Sequence, residues 1–557
     1  MGGYATRAIH PRPERRGFPR SPDKAAFLKP DFLPTMMIHS KLFATTTLTT
    51  FSCFFAPVLA SPAKTPAQLN TLASSLDPQS ASEHLAFYEL YPTTEQGRLA
   101  LRKTYELLTG QKDYVQEDVG ELTLHSQAVE AIVSLVNPLP THTTAPILRE
   151  QQLALIDKLA AKLPNRKLKG HLATSEEEVL ALDSSEVDLA RGLLLSQMET
   201  TTTGLAGVRS YEALLDLMAL QILCRTSLNA PPEEKIRAMN RLIFKELHFR
   251  FPPHSLYSDN VDLYTLLPAV LDSRRGICLG VSTLYICLAQ RLGLTLEMIT
   301  PPGHIYVRYR DGDEIINIET TARGIDLPSE IYLSVNTRSL QERNIKEVVG
   351  LTYQNQAAAF WHQKDYNKAI QAYLKALQYI PGDPLLNEFL AYQYLFIGET
   401  KKGKEILKTI RNLVPDYAVS KDTIIQDYLD GNTSAEGLKT VMMEVDETRE
   451  SILKKQEKLQ ELIKKYPKFR TGWFYLAITW LQLNREQEGL EALKVCHRLD
   501  ATNPTVEYYL AALYLGRFDY NNAWKHFRIA ESLVRARDHH PSALDKLMRE
   551  LLAYAPE

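Results

Sequence analysis

The chain has 557 residues, 45% hydrophobic and 23% charged. That is the balance of an ordinary soluble globular protein, not a disordered, fibrous or multispanning one, and it leaves room for roughly three domains. The net charge of −2 is a cancellation: residues 1–60 carry 8 Lys and Arg against 3 Asp and Glu, leaving 56 basic and 63 acidic residues beyond them. An acidic body with no basic stripe interleaved with aromatics excludes nucleic acid as the main partner.

Taken in chain order, the first sixty residues read as an address. Leu42 to Ala60, LFATTTLTTFSCFFAPVLA, follows Lys41 and the Met36-Met37 pair and closes on Val58-Leu59-Ala60. This is the n-region, apolar stretch and cleavage site of a secretory signal peptide over about 36–60. Export to a periplasm or the medium is the expectation, with a cytoplasmic protein if the leader does not function and no stable membrane span once it is removed. Cys224, Cys278, Cys287 and Cys496 are too few and scattered for a disulfide framework. Without a CxxC pair or an HExxH motif, neither a metal nor another cofactor is expected.

Residues 65–210 form a helical N-terminal domain by apolar spacing, with a loop expected at the Thr200–Thr203 run. Residues 211–348 change to helices followed by a strand pair. Beyond them Pro381 and Pro415 set a 34-residue register. Tyr353, Ala357, Ala369, Tyr373, Ala376 and Pro381 fall at its large and small positions, and so do Trp473, Ala477, Gly489 and Cys496, then Ala511, Ala523 and Ala530. Residues 350–417 and 470–537 thus resemble tetratricopeptide repeats, helix pairs that approach closely at small residues. Cys496 sits on such a small position and reads as core. Residues 418–469, with the charged amphipathic run Lys454–Lys465, read as a helical linker or degenerate repeat.

The chemistry is concentrated between Arg274 and Gly324. Cys278 opens a helix, where unpaired N–H groups and the positive dipole end favour a thiolate; Cys287, inside the same helix, reads as core. Asp311-Gly312 between two alternating runs signals a hairpin. A turn there pairs Arg310 with Asp313 and, in that register, sets His304 directly opposite Glu319. Tyr306, Arg308 and Asn317 share their polar face, and Ile305, Val307, Ile316 and Ile318 fill the other. Arg274 and Gly276 read as structural, His254 as an exposed loop residue, and His539-His540 has no partner cluster.

Cys278, His304 and Glu319, in that order and with the motifs Arg274-x-Gly276-x-Cys278, Pro302-Gly303-His304 and Ile316-Asn317-Ile318-Glu319-Thr320, resemble the transglutaminase-like superfamily. More narrowly, residues 211–348 resemble the core of bacterial members that join it to tetratricopeptide repeats. Glu319 stands where the superfamily often has Asp. The implied fold is an α+β transglutaminase-like core flanked by an all-α N-terminal domain and a C-terminal α-helical tetratricopeptide solenoid. The implied roles are nucleophile for Cys278, base and acid for His304, and orienting acceptor for Glu319. The Cys278 N–H is the natural oxyanion donor, with Tyr257 and Asn260 as candidates for a second.

The expected function is a cysteine enzyme acting on amide bonds through a thioester, as a peptidase, amidase, deamidase or acyl transferase. The repeats would bind a protein or peptide partner or the substrate. The alternative is a non-catalytic tetratricopeptide scaffold with a degenerate core, favoured if the thiol is buried and unreactive.

Overall fold

The computed structural model describes residues 64–109, 150–198, 200–252, 264–446 and 448–556. The expected leader at 36–60, together with His254, Tyr257 and Asn260, lies outside them. The described residues are mostly helical with one small antiparallel sheet.

The N-terminal part runs through α1 (Pro66–Ser74), α2 (Ala81–Leu90), α3 (Glu95–Thr109), α4 (Glu150–Ala160), α5 (Glu176–Ala181), α6 (Leu189–Gln197) and α7 (Thr200–Leu223). Side-chain caps set several starts. Thr65 makes a capping box on α1, Ser80 caps α2, and Asp188 accepts from the Ala190 and Arg191 amides at the head of α6. The loop expected at Thr200–Thr203 is instead the first turn of α7. β-Branched residues are only modest helix formers, and the long apolar sequence after them carries the helix through its packing.

Next come α8 (Pro232–Asn240), a π-helical turn (Arg241–Glu246), α9 (Leu267–Ser273) and α10 (Cys278–Arg291). α10 is almost wholly buried, and its far end is clamped. Arg291 donates to Asp216 of α7 at 2.8 Å, and Lys235 of α8 reaches the Leu292 carbonyl at 3.0 Å.

Where the sequence suggested one strand pair there are four strands: β1 (Glu297–Thr300), β2 (Tyr306–Asp311), β3 (Glu314–Ile318) and β4 (Gln341–Arg343), in the order β3-β2-β1-β4. The hairpin register also differs from the expected one. Asp311 pairs with Glu314 and Val307 with Ile318, so the turn is Gly312-Asp313. Gly312, at φ 57°, thereby takes the first central position of a two-residue turn, where a left-handed residue is needed. The slip is two residues, so every side chain keeps its face and His304 lies diagonal to Glu319 rather than opposite it. The polar face is covered, not solvated. Asn317 bonds Asp326 and the Leu327 carbonyl, and Arg308 bonds Tyr306 and Glu342.

The repeats form two double helix pairs. The first comprises α11 (Ile345–His362) with α12 (Tyr366–Tyr379) and α13 (Pro384–Phe396) with α14 (Thr400–Ile410). After α15 (Ile424–Leu429), α16 (Ala435–Met442) and α17 (Arg449–Lys465) come α18 (Arg470–Gln482) with α19 (Glu486–Leu499) and α20 (Pro504–Gly516) with α21 (Tyr520–Arg535), then α22 (Ser542–Tyr554). The 34-residue period is written in the backbone: Lys364 and Gly398, then Asn484 and Phe518, adopt positive φ at the same inter-helix turn. Ala357, Ala369, Ala376, Ala511, Ala523 and Ala530 are all 0% exposed, as close helix approach requires.

The array bends back on the core. Arg338 donates to the Arg537 carbonyl at 2.8 Å, and His539 bonds the Ser334 carbonyl at 2.8 Å. Val335 and Val419 share a cluster with Leu515 and Phe527. Among the described residues no helix is long and apolar enough to cross a membrane.

Candidate active site

The turn ahead of Cys278 is fixed by backbone bonds. Arg250 N–H donates to the Arg274 carbonyl, Gly276 N–H to the Arg250 carbonyl and Ile277 N–H to the Tyr264 carbonyl. Arg274 is left-handed and donates to the Leu247 carbonyl, a structural use. Two residues into α10, Gly280 lies against Tyr264 so closely that a Cβ would stand 2.2 Å from its carbonyl oxygen. Ile277 supplies no side-chain cap, so the helix start keeps donors of its first turn directed at whatever approaches Cys278.

His304 stands at the end of a turn in which its N–H reaches the Pro301 carbonyl at 3.1 Å, with Gly303 at φ 72°. Only glycine adopts that angle cheaply, which is why the Pro-Pro-Gly-His order can aim the imidazole back at α10. Glu319 follows β3 directly and caps a 3-10 turn, accepting from the Thr321 amide at 3.1 Å and the Thr321 hydroxyl at 2.5 Å. That turn is tied to α10 by Ser282 and Thr320 hydroxyls 2.9 Å apart.

These elements bring His304 Nε2 to 2.6 Å from Glu319 Oε2. Tyr332 donates to the same oxygen at 2.5 Å and stacks on the imidazole with ring centres 5.5 Å apart. Tyr306 stacks on Tyr332 in turn, with ring centres 5.0 Å apart. Tyr332 was not anticipated: it ends a short 3-10 turn, Ser329–Tyr332, thirteen residues past Glu319, where no periodicity points to it.

The electrostatics follow from this packing. Burial alone would push the His304 imidazole down, but the Cys278 thiol and the Glu319 carboxylate outweigh it and hold the ring up at about 10. Burial pushes the Glu319 carboxyl up, and His304, Thr321 and Tyr332 together bring it below its ordinary value. Tyr332 is pushed up by burial and then by Glu319. With Nε2 committed to Glu319, Nδ1 is the nitrogen left for the thiol. It makes no bond of normal hydrogen-bond geometry, so Cys278 stands beside the ring without being locked onto it.

The other thiols are of a different kind. Burial raises Cys224 to about 12, and raises Cys287 and Cys496 as well. Among the described residues, two further clusters combine metal-capable groups, His497 with Glu507 and His526, and His171 with Asp188 and Glu212. In the first, both imidazoles meet Glu507 at 2.6 and 2.7 Å, hydrogen-bond distances that satisfy the carboxylate within the protein.

His304 also faces a cleft of about 1380 Å³, counting its open mouth, between the core and the first repeats. Ile305 and Gln341 line one wall, and Asn355, Leu385 and Glu388 of the repeats line the other.

Residues 209–369 match the family model of the transglutaminase-like superfamily. F-box only protein 21 of Homo sapiens is 28% identical over 134 residues, 24% of this chain and 20% of the relative, so the match spans about one fifth of that relative's length. Among solved structures, MamA of Desulfovibrio magneticus RS-1 aligns with 34% of this chain and 97% of its own at 15% identity and TM-score 0.18. TTC0263, a thermophilic TPR protein of Thermus thermophilus, aligns with 37% of this chain and 98% of its own at 19% identity and TM-score 0.18.

Proposed function

We propose, on the premise that residues 209–369 form a transglutaminase-like domain joined to tetratricopeptide repeats, that the chain is a cysteine enzyme acting on amide bonds. The observation that carries the reading is the His304–Glu319 bond of 2.6 Å beside a thiol at a helix start. The Cys278 sulfur attacks the amide carbon, and the C–N bond breaks as the His304 imidazolium protonates the departing amine. The thioester left behind is opened by water or by a second amine, whose proton returns to His304. Glu319 keeps the ring oriented and balances its charge. The cleft walled by both His304 and the repeats supports a role for the array in holding a polypeptide substrate. The leader pattern at residues 36–60 supports a site of action outside the cytoplasm, with a cytoplasmic one if the leader does not function.

The test incubates the full chain with a glutamine-containing peptide and an amine, and follows ammonia release, amine incorporation and cleavage. Cys278→Ala and His304→Ala are expected to lower whichever of the three occurs by about a thousandfold or more. A non-catalytic scaffold is the second reading, and the burial of the trio favours it: Cys278 is 2%, His304 5% and Glu319 1% exposed. Three products that are absent, or indifferent to Cys278→Ala, decide for the scaffold.

A further inference from the structure

The cleft that His304 faces holds charged groups that the amide chemistry does not use. Among the described residues lining it, two carry basic groups, Arg343 and His304, and two carry carboxyls, Glu388 and Asp422. Both basic groups are committed. Arg343 donates to Asp383 at 2.8 Å, and His304 Nε2 meets Glu319 at 2.6 Å. Asp383 also accepts from the Leu385 and Leu386 amides at the start of α13, so its pair with Arg343 belongs to the scaffold. At the same cleft His304, 5% exposed, has Nδ1 without a bond of normal hydrogen-bond geometry.

The repeats place Glu388. The leading helices of the first two pairs, α11 and α13, form one wall with Leu351, Asn355, Leu385 and Glu388. The Glu388 carboxyl is only 8% exposed and accepts from the Tyr392 hydroxyl, one turn on, at 2.5 Å. A carboxylate offers about four acceptor sites, so that bond leaves room for a further donor. Asp422 precedes α15 and accepts from the Ile424 amide at 2.8 Å. Tyr417 lines the cleft as well, and its hydroxyl is pushed up to about 12 by burial and then by Asp383, Glu388 and Asp422, so these carboxyls converge on one corner. Burial and then the Asp422 charge raise Glu388 itself to about 8. Negative charge gathered in a largely buried wall is costly until a cation meets it. Leu351, Leu385 and Ile425, which line the same cleft, suit the aliphatic stem of a long basic side chain.

We infer that Glu388 and Asp422 form a cation subsite in the cleft, which receives a lysine or arginine side chain of the polypeptide whose amide is presented to Cys278. The word substrate in this setting rests on the proposed amide chemistry; the binding does not. The cation received here is an anchor, not the amine that opens the thioester, because the carboxyls stand on the repeat side of the cleft and His304 on the core side.

The test measures binding to the full chain carrying Cys278→Ala, which does not turn over, at pH 8.5 and about 0.15 M salt. At that pH Glu388 is ionised while lysine keeps its proton, and a Debye length of about 8 Å screens the acidic surface at large. The probes are a fluorescein-labelled peptide with a central glutamine flanked by lysines and a twin in which every lysine is serine. The basic peptide should bind about tenfold tighter. Glu388→Gln with Asp422→Asn keeps acceptors for Tyr392 and Ile424; it should erase the preference and leave the affinity of the twin as it was. Glu457→Gln with Glu461→Gln removes as much charge from exposed positions of α17 and should change nothing. If the cleft double variant loses the twin as well, Asp422→Asn alone decides, and should cut the preference at least about threefold. Equal binding of the two peptides, a preference indifferent to the cleft variants, a loss matched by the α17 variants, or displacement by free putrescine as effective as by unlabelled peptide overturns the inference. A preference found alongside no turnover in wild type sinks the amide chemistry and leaves the subsite standing; turnover without the preference does the reverse.

Discussion

His304 is held as an imidazolium by its neighbours, and the sign of that hold is measurable. Its folded pKa of about 10 exceeds an unfolded value of about 6.5, so the folded state binds this proton more tightly. The resulting stability is fully present below about pH 6.5 and is lost as pH rises through about 10. Glu319 acts in the opposite sense: its depressed pKa stabilises above the ordinary carboxylate range, and that contribution is lost on acidification. Glu388, raised to about 8, and Lys455, lowered to about 8, titrate in the same window, so the comparison has to be with His304→Gln. The melting-temperature advantage of wild type over His304→Gln is expected to shrink steadily from pH 6.5 to 10; a constant gap means that the ring is not held protonated. Tyr332→Phe keeps the stacked ring and deletes one bond to a buried carboxylate. It should cost about 1.5–3 kcal/mol in urea unfolding and much less in a Glu319→Gln background, because the partner is then already uncharged.

At the scale of elements, the useful question is what holds the start of α10 against the hairpin. Gly280 answers part of it, since its bare Cα lets the helix rest on the Tyr264 carbonyl. Gly280→Ala gains about 1 kcal/mol of helix propensity, but puts a methyl 2.2 Å from a backbone oxygen that has no rotamer to escape through. The clash wins: the variant should melt lower than wild type, and the Cys278 thiol should react with iodoacetamide at an altered rate, whereas an unchanged melting point would show that α10 has slack here. The hairpin shows what sequence can and cannot specify at this scale. Alternation placed Tyr306, Arg308 and Asn317 on one face and Ile305, Val307 and Ile318 on the other, because a pleat has period two. It could not tell a turn at Asp311-Gly312 from one at Gly312-Asp313 by facing alone, since a two-residue slip preserves every face. Glycine's place in the turn decided it. β1 and β4, four and three residues long, are too short to announce themselves by alternation.

The molecule as a whole is organised by a core that ignores the chain's apparent segments. One buried cluster runs from Leu85 through α6, α7 and α10 and the first repeats to Leu476 of α18, so α11 packs on the N-terminal helices as well as on α12. The repeats were legible because 34-residue spacing is a local pattern. Their return to the core was not, because Arg338 and Arg537 are 199 residues apart and His539 and Ser334 are 205 apart, and no period links them. That return makes a prediction about the cleft. Asn336, Thr337 and Ser339 line it beside His304, and the neighbouring Ser334 and Arg338 are held by Arg537 and His539, with Val335 packed in the cluster of Leu515 and Phe527. A chain ending after Asp500 loses all of those partners but keeps both helices of the α18–α19 pair. In a solenoid each unit leans on its neighbours, so α11 to α14 should stay as protected from hydrogen exchange as before. Exchange at Val335–Arg338 should rise by at least about tenfold, and KM for a peptide substrate should rise more than kcat falls, since the trio of Cys278, His304 and Glu319 is untouched. Unchanged exchange at Val335–Arg338 would show that this wall of the cleft is held by the core alone and that the last repeats serve some other surface.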